Sequence, residues 1–267
     1  PDYHRIAKIM HQHGGYCFVD FAASAPYVEI NMRPNDPLEK LDAIFFSPHK
    51  FVGGPGTSGV LLFDKRFYKN QVPDHPGGGT VKWVNCWGEQ SYWDRLDAKD
   101  IEAREDGGTP PFLQGIKIAL CLLLKEQMGT QQIAQREQEL LDIAFPALRK
   151  ILNLCLLNDN VEDRLGVLSF YLKGRSVAYN LIVQLLNDHY GIQVRGGCAC
   201  AGPYGHFLLD IDRNHSKSIT SEIDIGNTSN KPGWVRLSLH PLMTNAELYY
   251  ILEAIKTVAE HFEELKK

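Results

Sequence analysis

Apolar positions along this chain change spacing several times, and each change marks an element. From about Tyr3 to His13, Ile6, Ile9 and Met10 fall on one helical face, and Gly14 and Gly15 supply a left-handed stop. Tyr16 to Asp20 (YCFVD) is a short apolar run rich in β-formers, the pattern of a buried parallel strand. Leu41 to Phe46 (LDAIFF) repeats it and Gly59 to Phe63 (GVLLF) gives a third run, so the front of the chain reads as an α/β layer. From Thr109, with Pro110 and Pro111 at the start, helical periodicity runs through Leu124, breaks near Gly129 and resumes from about Gln131 to Leu152. Beyond that lie strands at Gly166 to Leu172, Ile192 to Val194 and Trp234 to Leu239. Helices are predicted at Val177 to His189, closed by Gly191, and at Asn245 to Leu265, capped by Thr244. The polar stretch Ile211 to Lys231 reads as a long mobile loop.

This rhythm predicts an α/β part over 1–152 and a small α+β domain over 153–267. The chain's 267 residues exceed the usual size of one domain, and one large domain remains open beside two smaller ones. A hydrophobic content of 44% is enough for a real core. The formal net charge of -4 offers no basic surface to a phosphate backbone, so nucleic acid is not an expected partner. The longest apolar runs, such as Ile118 to Leu124, fall far short of the roughly 20 residues of a membrane span, so no membrane association is expected either. Six cysteines in a chain of this length are too sparse for a disulfide scaffold and fit a reducing, cytoplasmic setting. Cys198 and Cys200 have no second Cys/His pair at zinc-finger spacing, so no metal is expected. Pro1 and Asp2 lead straight into a helix pattern without an initiator methionine or targeting segment, and the sequence reads as starting partway through a domain.

The candidate chemistry centres on Ser47-Pro48-His49-Lys50, which follows a strand and precedes Gly53-Gly54-Pro55-Gly56-Thr57-Ser58-Gly59. A lysine at the carboxyl end of an α/β strand lies where such folds place ligands, and partial burial would lower its pKa towards nucleophilic competence. Ser47 and His49 flank it with phosphate-type donors. Asp20, ending the preceding strand, reads either as a turn cap or as the acidic partner of a pyridine nitrogen, which needs a carboxylate to stay protonated. The charge run Glu102 to Asp106 reads as a solvated face, and His11, His13 and His261 as surface residues rather than ligands.

Asp20 in FVDFAASAP, the SPHK tetrapeptide with its GGPGTSG tail, and Gly107-Gly108-Thr109-Pro110 resemble the fold-type I, class V aminotransferase superfamily. Arg195-Gly196-Gly197-Cys198-Ala199-Cys200-Ala201 is similar to that family's Arg-x-Gly-x-x-Cys-Ala loop, and Val235-Arg236-Leu237-Ser238 to its Val-Arg-x-Ser strand. The match is strongest to cysteine desulfurases and selenocysteine lyases. The resemblance implies the C-terminal part of a pyridoxal 5'-phosphate-dependent large domain, mainly parallel sheet with helices, followed by a small α+β domain.

The resemblance also implies roles. Lys50 would be the Schiff-base lysine, Asp20 the partner of the pyridine nitrogen, and Ser47 and His49 contacts of the cofactor phosphate. Thr57, or the glycine amides beside it, would reach the phosphate of the second subunit of a homodimer. Arg236 would clamp the carboxylate of a small amino-acid substrate, assisted by Arg195. Cys200 matches the nucleophilic cysteine that takes up substrate sulfur, with Cys198 as the alternative, and a sulfur-acceptor protein would follow. An aminotransferase or epimerase-like lyase on the same fold would make no use of Cys200. A noncatalytic dimerisation or sulfur-protein binding module is the reading from another class. The sequence departs from the family at Ala23, where a Gln or His is usual, with Ser24 offering a hydroxyl next to it. It also begins where the family's large domain is about half complete.

Overall fold

The computed structural model describes residues 2–92, 101–174, 178–197 and 202–265. The chain divides into two compact units, Pro1–Thr130 and Gln131–Lys267.

In the first unit, helix α1 (Tyr3–Gln12) starts at Asp2, whose side chain accepts from the Arg5 amide. Strands β1 (Phe18–Asp20), β2 (Ala43–Phe46) and β3 (Val60–Phe63) form one sheet in that order. β1 and β2 run parallel, with Asp20 opposite Phe45, whereas β3 runs antiparallel to β2. The connection from 47 to 59 holds no crossover helix, which a parallel return would need. A hairpin of β4 (Val81–Val84) and β5 (Gln90–Tyr92) follows, then α2 (Ile101–Glu105) and α3 (Phe112–Met128). The core gathers Ala7, Phe21, Leu41, Ile44, Phe46, Phe51 and Cys121.

α1 packs by its polar side. Ile6, Ile9 and Met10 stay 49%, 48% and 41% exposed, while His4 bonds the Glu39 carbonyl, Lys8 pairs with Asp36 and Glu39, and His11 bonds Asp42. His11 is therefore not the surface residue its sequence position suggested. Its ring lies between the Leu38 carbonyl (2.6 Å) and Asp42 Oδ2 (2.7 Å), because only this face meets the 36–42 segment.

In the second unit, α4 (Thr130–Arg149) is followed by β6 (Leu154–Leu156), β7 (Val167–Leu172), α5 (Tyr179–Tyr190) and β8 (Arg195–Gly196). Then come α6 (Gly202–Leu208), α7 (Arg213–Asp224), β9 (Val235–Ser238), α8 (Asn245–Glu260) and α9 (Phe262–Leu265). The sheet is antiparallel throughout, ordered β6-β7-β9-β8. Leu140, Leu141, Ala144 and Leu148 of α4 join Leu168, Phe170, Ile182, Leu186, Val235, Leu248 and Ile255 in its core. The first unit ends at Thr130, the first residue of α4, and the apolar face of α4 is buried with this sheet.

Two local expectations change. Ile192–Val194 is connection, not strand: Gly191 takes a left-handed φ of 66° and the Ile192 amide still bonds Leu186 O, so extended pairing begins only at Arg195. The segment 211–231 holds α7 instead of a loop, because Asp212 accepts from both Asn214 and His215 and starts a helix with no buried side chain. Thr244 caps α8 through a reciprocal capping box with Glu247. No helix among the described residues is long and apolar enough to cross a membrane.

Candidate active site

Asp20 and Lys50 stand at the same edge of the first unit's sheet. Asp20 is the last residue of β1, and the ladder continues one step beyond it through the Phe21 amide to Phe45 O at 2.9 Å. β2 ends at Phe46, and Ser47 then opens the 3₁₀ turn Pro48–Lys50, closed by the Lys50 amide on Ser47 O at 3.0 Å. Parallel pairing puts the carboxyl ends of β1 and β2 together, so the acid and the amine arrive on one side from residues far apart in sequence.

Of the two readings offered for Asp20, the turn cap is seen. Its Oδ1 accepts from the Ala22 amide at 2.7 Å and caps the following turn, while Oδ2 has no donor among the described residues. Lys50 and His49 are exposed, so the burial expected around the amine is not supplied by the described residues of this unit. The turn itself explains this: Pro48 and Phe51 take the inward places and direct the residues between them outward.

The glycine run holds the loop close. A Cβ on Gly54 would lie 2.0 Å from Pro48 O, so only glycine permits this return of the chain against the lysine turn. The Gly54 amide bonds Phe51 O at 2.9 Å and the Thr57 amide bonds Gly54 O at 3.1 Å. Thr57 Oγ1 ends up buried without a hydrogen-bond partner among the described residues, a costly state for a hydroxyl unless something polar meets it. Ala23 is exposed in the turn after Asp20. A cleft of about 550 Å³ in this unit, lined by Met32, Arg33, Leu41, Leu62 and Asp64, lies at the opposite end of β2 and contains none of these residues.

In the second unit the register places Arg195 of β8 directly opposite Arg236 of β9. Residues so paired share a face, and two like charges there repel unless an anion joins them. Neither has an acidic partner among the described residues, and Arg236 Nε is buried with no hydrogen bond. Behind this pair Tyr179 of α5, 7% exposed, packs against backbone: a Cβ on Gly233 would lie 2.7 Å from its ring and one on Gly196 2.8 Å. Cys198 and Cys200 lie outside the described residues.

The residues that sequence reasoning missed are Lys117 and Lys125 of α3. Lys125 Nζ donates to the Ala25 and Val28 carbonyls at 2.7 and 2.5 Å, just after Asp20. Burial lowers the pKa of its amine, with Glu29 opposing. A separation of 97 to 100 positions leaves no local signal for such a contact.

Known proteins share this chain's sequence pattern and fold. A cysteine desulfurase of Haloferax volcanii is 30% identical over 201 residues, 74% of this chain and 43% of its own length. A probable cysteine desulfurase of Staphylococcus epidermidis is 32% identical over 197 residues, 74% of this chain and 44% of its own. The chain therefore spans less than half the length of these curated relatives. Among solved structures, the cysteine desulfurase CsdA of Escherichia coli superposes with a TM-score of 0.70 at 23% identity, covering 97% of this chain and 55% of that one. The apo cysteine desulfurase of Thermococcus onnurineus gives 0.68 at 24%, covering 97% and 56%. The family model for class-V aminotransferases matches residues 1–251, and the chain belongs to that family.

Proposed function

We propose that this chain carries the lysine-bearing and cysteine-bearing parts of a pyridoxal 5'-phosphate-dependent cysteine desulfurase or selenocysteine lyase. The observation that carries the reading is the placement of Asp20 and Lys50 at the carboxyl ends of neighbouring parallel strands, beside a glycine loop with a buried, unbonded Thr57 hydroxyl. Such a set suits a phosphorylated pyridine aldehyde. Oδ2 of Asp20 is available to the ring nitrogen, Lys50 Nζ to the aldehyde carbon, and Ser47 and His49 to the phosphate, while Thr57 serves the phosphate held by the second subunit. When bound, the cofactor supplies the electron sink that allows charge to build at a substrate Cα.

The chain's own residues do the rest. Asp20 holds the proton on the pyridine nitrogen. Lys50 Nζ takes the Cα proton and returns one to the product, as a general base and acid. Arg236, with Arg195 beside it, receives the substrate carboxylate through parallel N–H bonds that a lysine could not reproduce. Cys200 Sγ takes up sulfur: the Cβ–S bond of L-cysteine breaks, an S–S bond to Cys200 forms, and alanine leaves, so cysteine plus thiol gives alanine plus persulfide. Selenocysteine would lose its selenium at the same carbon. Resemblance supports Cys200 over Cys198. A homodimer in a reducing cytoplasm, passing sulfur to an acceptor protein, completes the proposal.

Mass spectrometry after L-cysteine treatment tests this, together with borohydride trapping of the cofactor. Added sulfur on the peptide holding Cys198 and Cys200, lost in Cys200→Ala and kept in Cys198→Ala, is the expected result. A trapped adduct on Lys50 without any sulfur on that peptide would instead point to a transaminating or epimerase-like enzyme. Absence of both would leave a noncatalytic module.

A further inference from the structure

Helix α3 turns a narrow stripe towards both loops of the candidate site. Lys117, Cys121 and Lys125 recur every fourth residue and so share one side of the helix. Lys117 Nζ donates to Pro55 O at 2.5 Å in the glycine loop after Lys50. Cys121, 4% exposed, faces Gly53 of that loop, with its Sγ 3.9 Å from the site of a Cβ there. Lys125 Nζ donates to Ala25 O and Val28 O in the turn after Asp20, and lies 5.9 Å from the ring centroid of Phe51, the residue following Lys50.

The chemistry of these contacts is specific. Residues 21–28 form helical turns, with the Ala25 amide on Phe21 O and the Val28 amide on Ser24 O, so the carbonyls of Ala25 and Val28 project from the end of a turn. An ammonium answers two such carbonyls and the partial negative charge they carry. Partly burying a lysine amine is costly, and Lys125 has no ion pair within 4 Å among the described residues, so the carbonyls and ring face, with the more distant charge of Glu29, offset the cost here.

We infer that Lys125 is a positioning residue that locks the turn carrying Asp20 to the turn carrying Lys50, gripping the first by two carbonyls and the second through the ring of Phe51. The functional meaning of the lock rests on the proposed roles of Asp20 and Lys50; the mechanical coupling does not.

Hydrogen exchange of the full chain, comparing Lys125→Met and Lys125→Arg with the unmodified protein, tests it. The methionine variant keeps the stem and loses the charge. It should raise amide exchange in both 21–28 and 47–58 by roughly tenfold, the effect of losing charge-assisted hydrogen bonds. Exchange in β7 and β9 should not change, and arginine should restore most of the protection. Phe51→Leu, which spares the carbonyl contacts, should loosen 47–58 alone, and it decides the coupling even if Lys125→Met does not fold. Unchanged exchange at 47–58 in Lys125→Met, or equal loosening of both segments in Phe51→Leu, would overturn the inference. In parallel, the pyridoxal phosphate concentration needed for half-maximal borohydride trapping on Lys50 should rise about tenfold in Lys125→Met and recover in Lys125→Arg. If the unmodified protein traps no cofactor, the proposed role of Lys50 fails while the exchange result still stands.

Discussion

Asp42 and Glu137 are both buried carboxyls, 1% and 5% exposed, and their surroundings drive them in opposite directions. Burial alone would raise the pKa of Asp42, but the Cys17 amide, His11 and Arg66 together hold it below the usual carboxylate range. For Glu137, burial wins over the single Gly166 amide at 3.1 Å and pushes the carboxyl up. The linkage signs follow. A carboxyl with a depressed folded pKa stabilises above its unfolded value, about 4, and that contribution is lost as pH falls through the folded value. A carboxyl with a raised folded pKa binds more protons in the native state, so its unit loses stability as pH rises from the unfolded value, about 4, up to the folded one, and no further beyond it. Asp42→Asn should cost the first unit about 3 kcal/mol at neutral pH, read from the urea midpoint, and should flatten its acid transition. Glu137→Gln keeps an acceptor for Gly166 and removes the buried charge. It should leave the second unit at least as stable at pH 7, and thermal scans across pH should no longer show that unit weakening with rising pH.

At the scale of elements, most boundaries follow from caps and stops present in the sequence. Thr244 with Glu247 starts α8, and Thr244→Ala should cost about 1 kcal/mol in chemical denaturation. β8 depends on something less local. It is two residues long, Arg195–Gly196, and is held against β9 with Tyr179 seated on bare backbone behind it. Gly233→Ala puts a methyl 2.7 Å from that ring. The substitution should destabilise the second unit by about 2 kcal/mol and weaken the protection of the Gly197 amide, which bonds Trp234 O at 2.9 Å.

At the scale of the whole molecule, large apolar surface lies open. Phe112, Leu113, Ile116, Leu120 and Leu123 of α3 are 61%, 73%, 58%, 60% and 53% exposed, and Phe18 and Leu61 of the sheet are 56% and 59% exposed. An apolar helix face of this extent drives association. Sedimentation of the isolated chain should show concentration-dependent self-association, and Leu113→Glu with Leu120→Glu should shift it towards the monomer without altering the second unit's unfolding. An unchanged distribution in the double variant would show that this face takes no part.

The local conformation at the ends of β1 and β2 was legible in the residues themselves. The run ending in Asp20, the Ser47–Lys50 turn and the glycine loop are contiguous segments whose conformation is set by neighbours, down to the Gly54 that Pro48 O demands. Hydrophobic spacing likewise marked α3, α4, β7 and α8, because long periodic segments report their own structure. Other features depended on which surfaces meet across long separations. They include the polar face of α1 turned inward onto Asp42, the reversed direction of β3, α4 joining the second core, and the opposition of Arg195 to Arg236. The Lys125 grip on carbonyls 97 and 100 positions earlier is of the same kind. Period and caps encode how a segment coils, whereas burial, register and charge pairing arise only when distant segments share a surface.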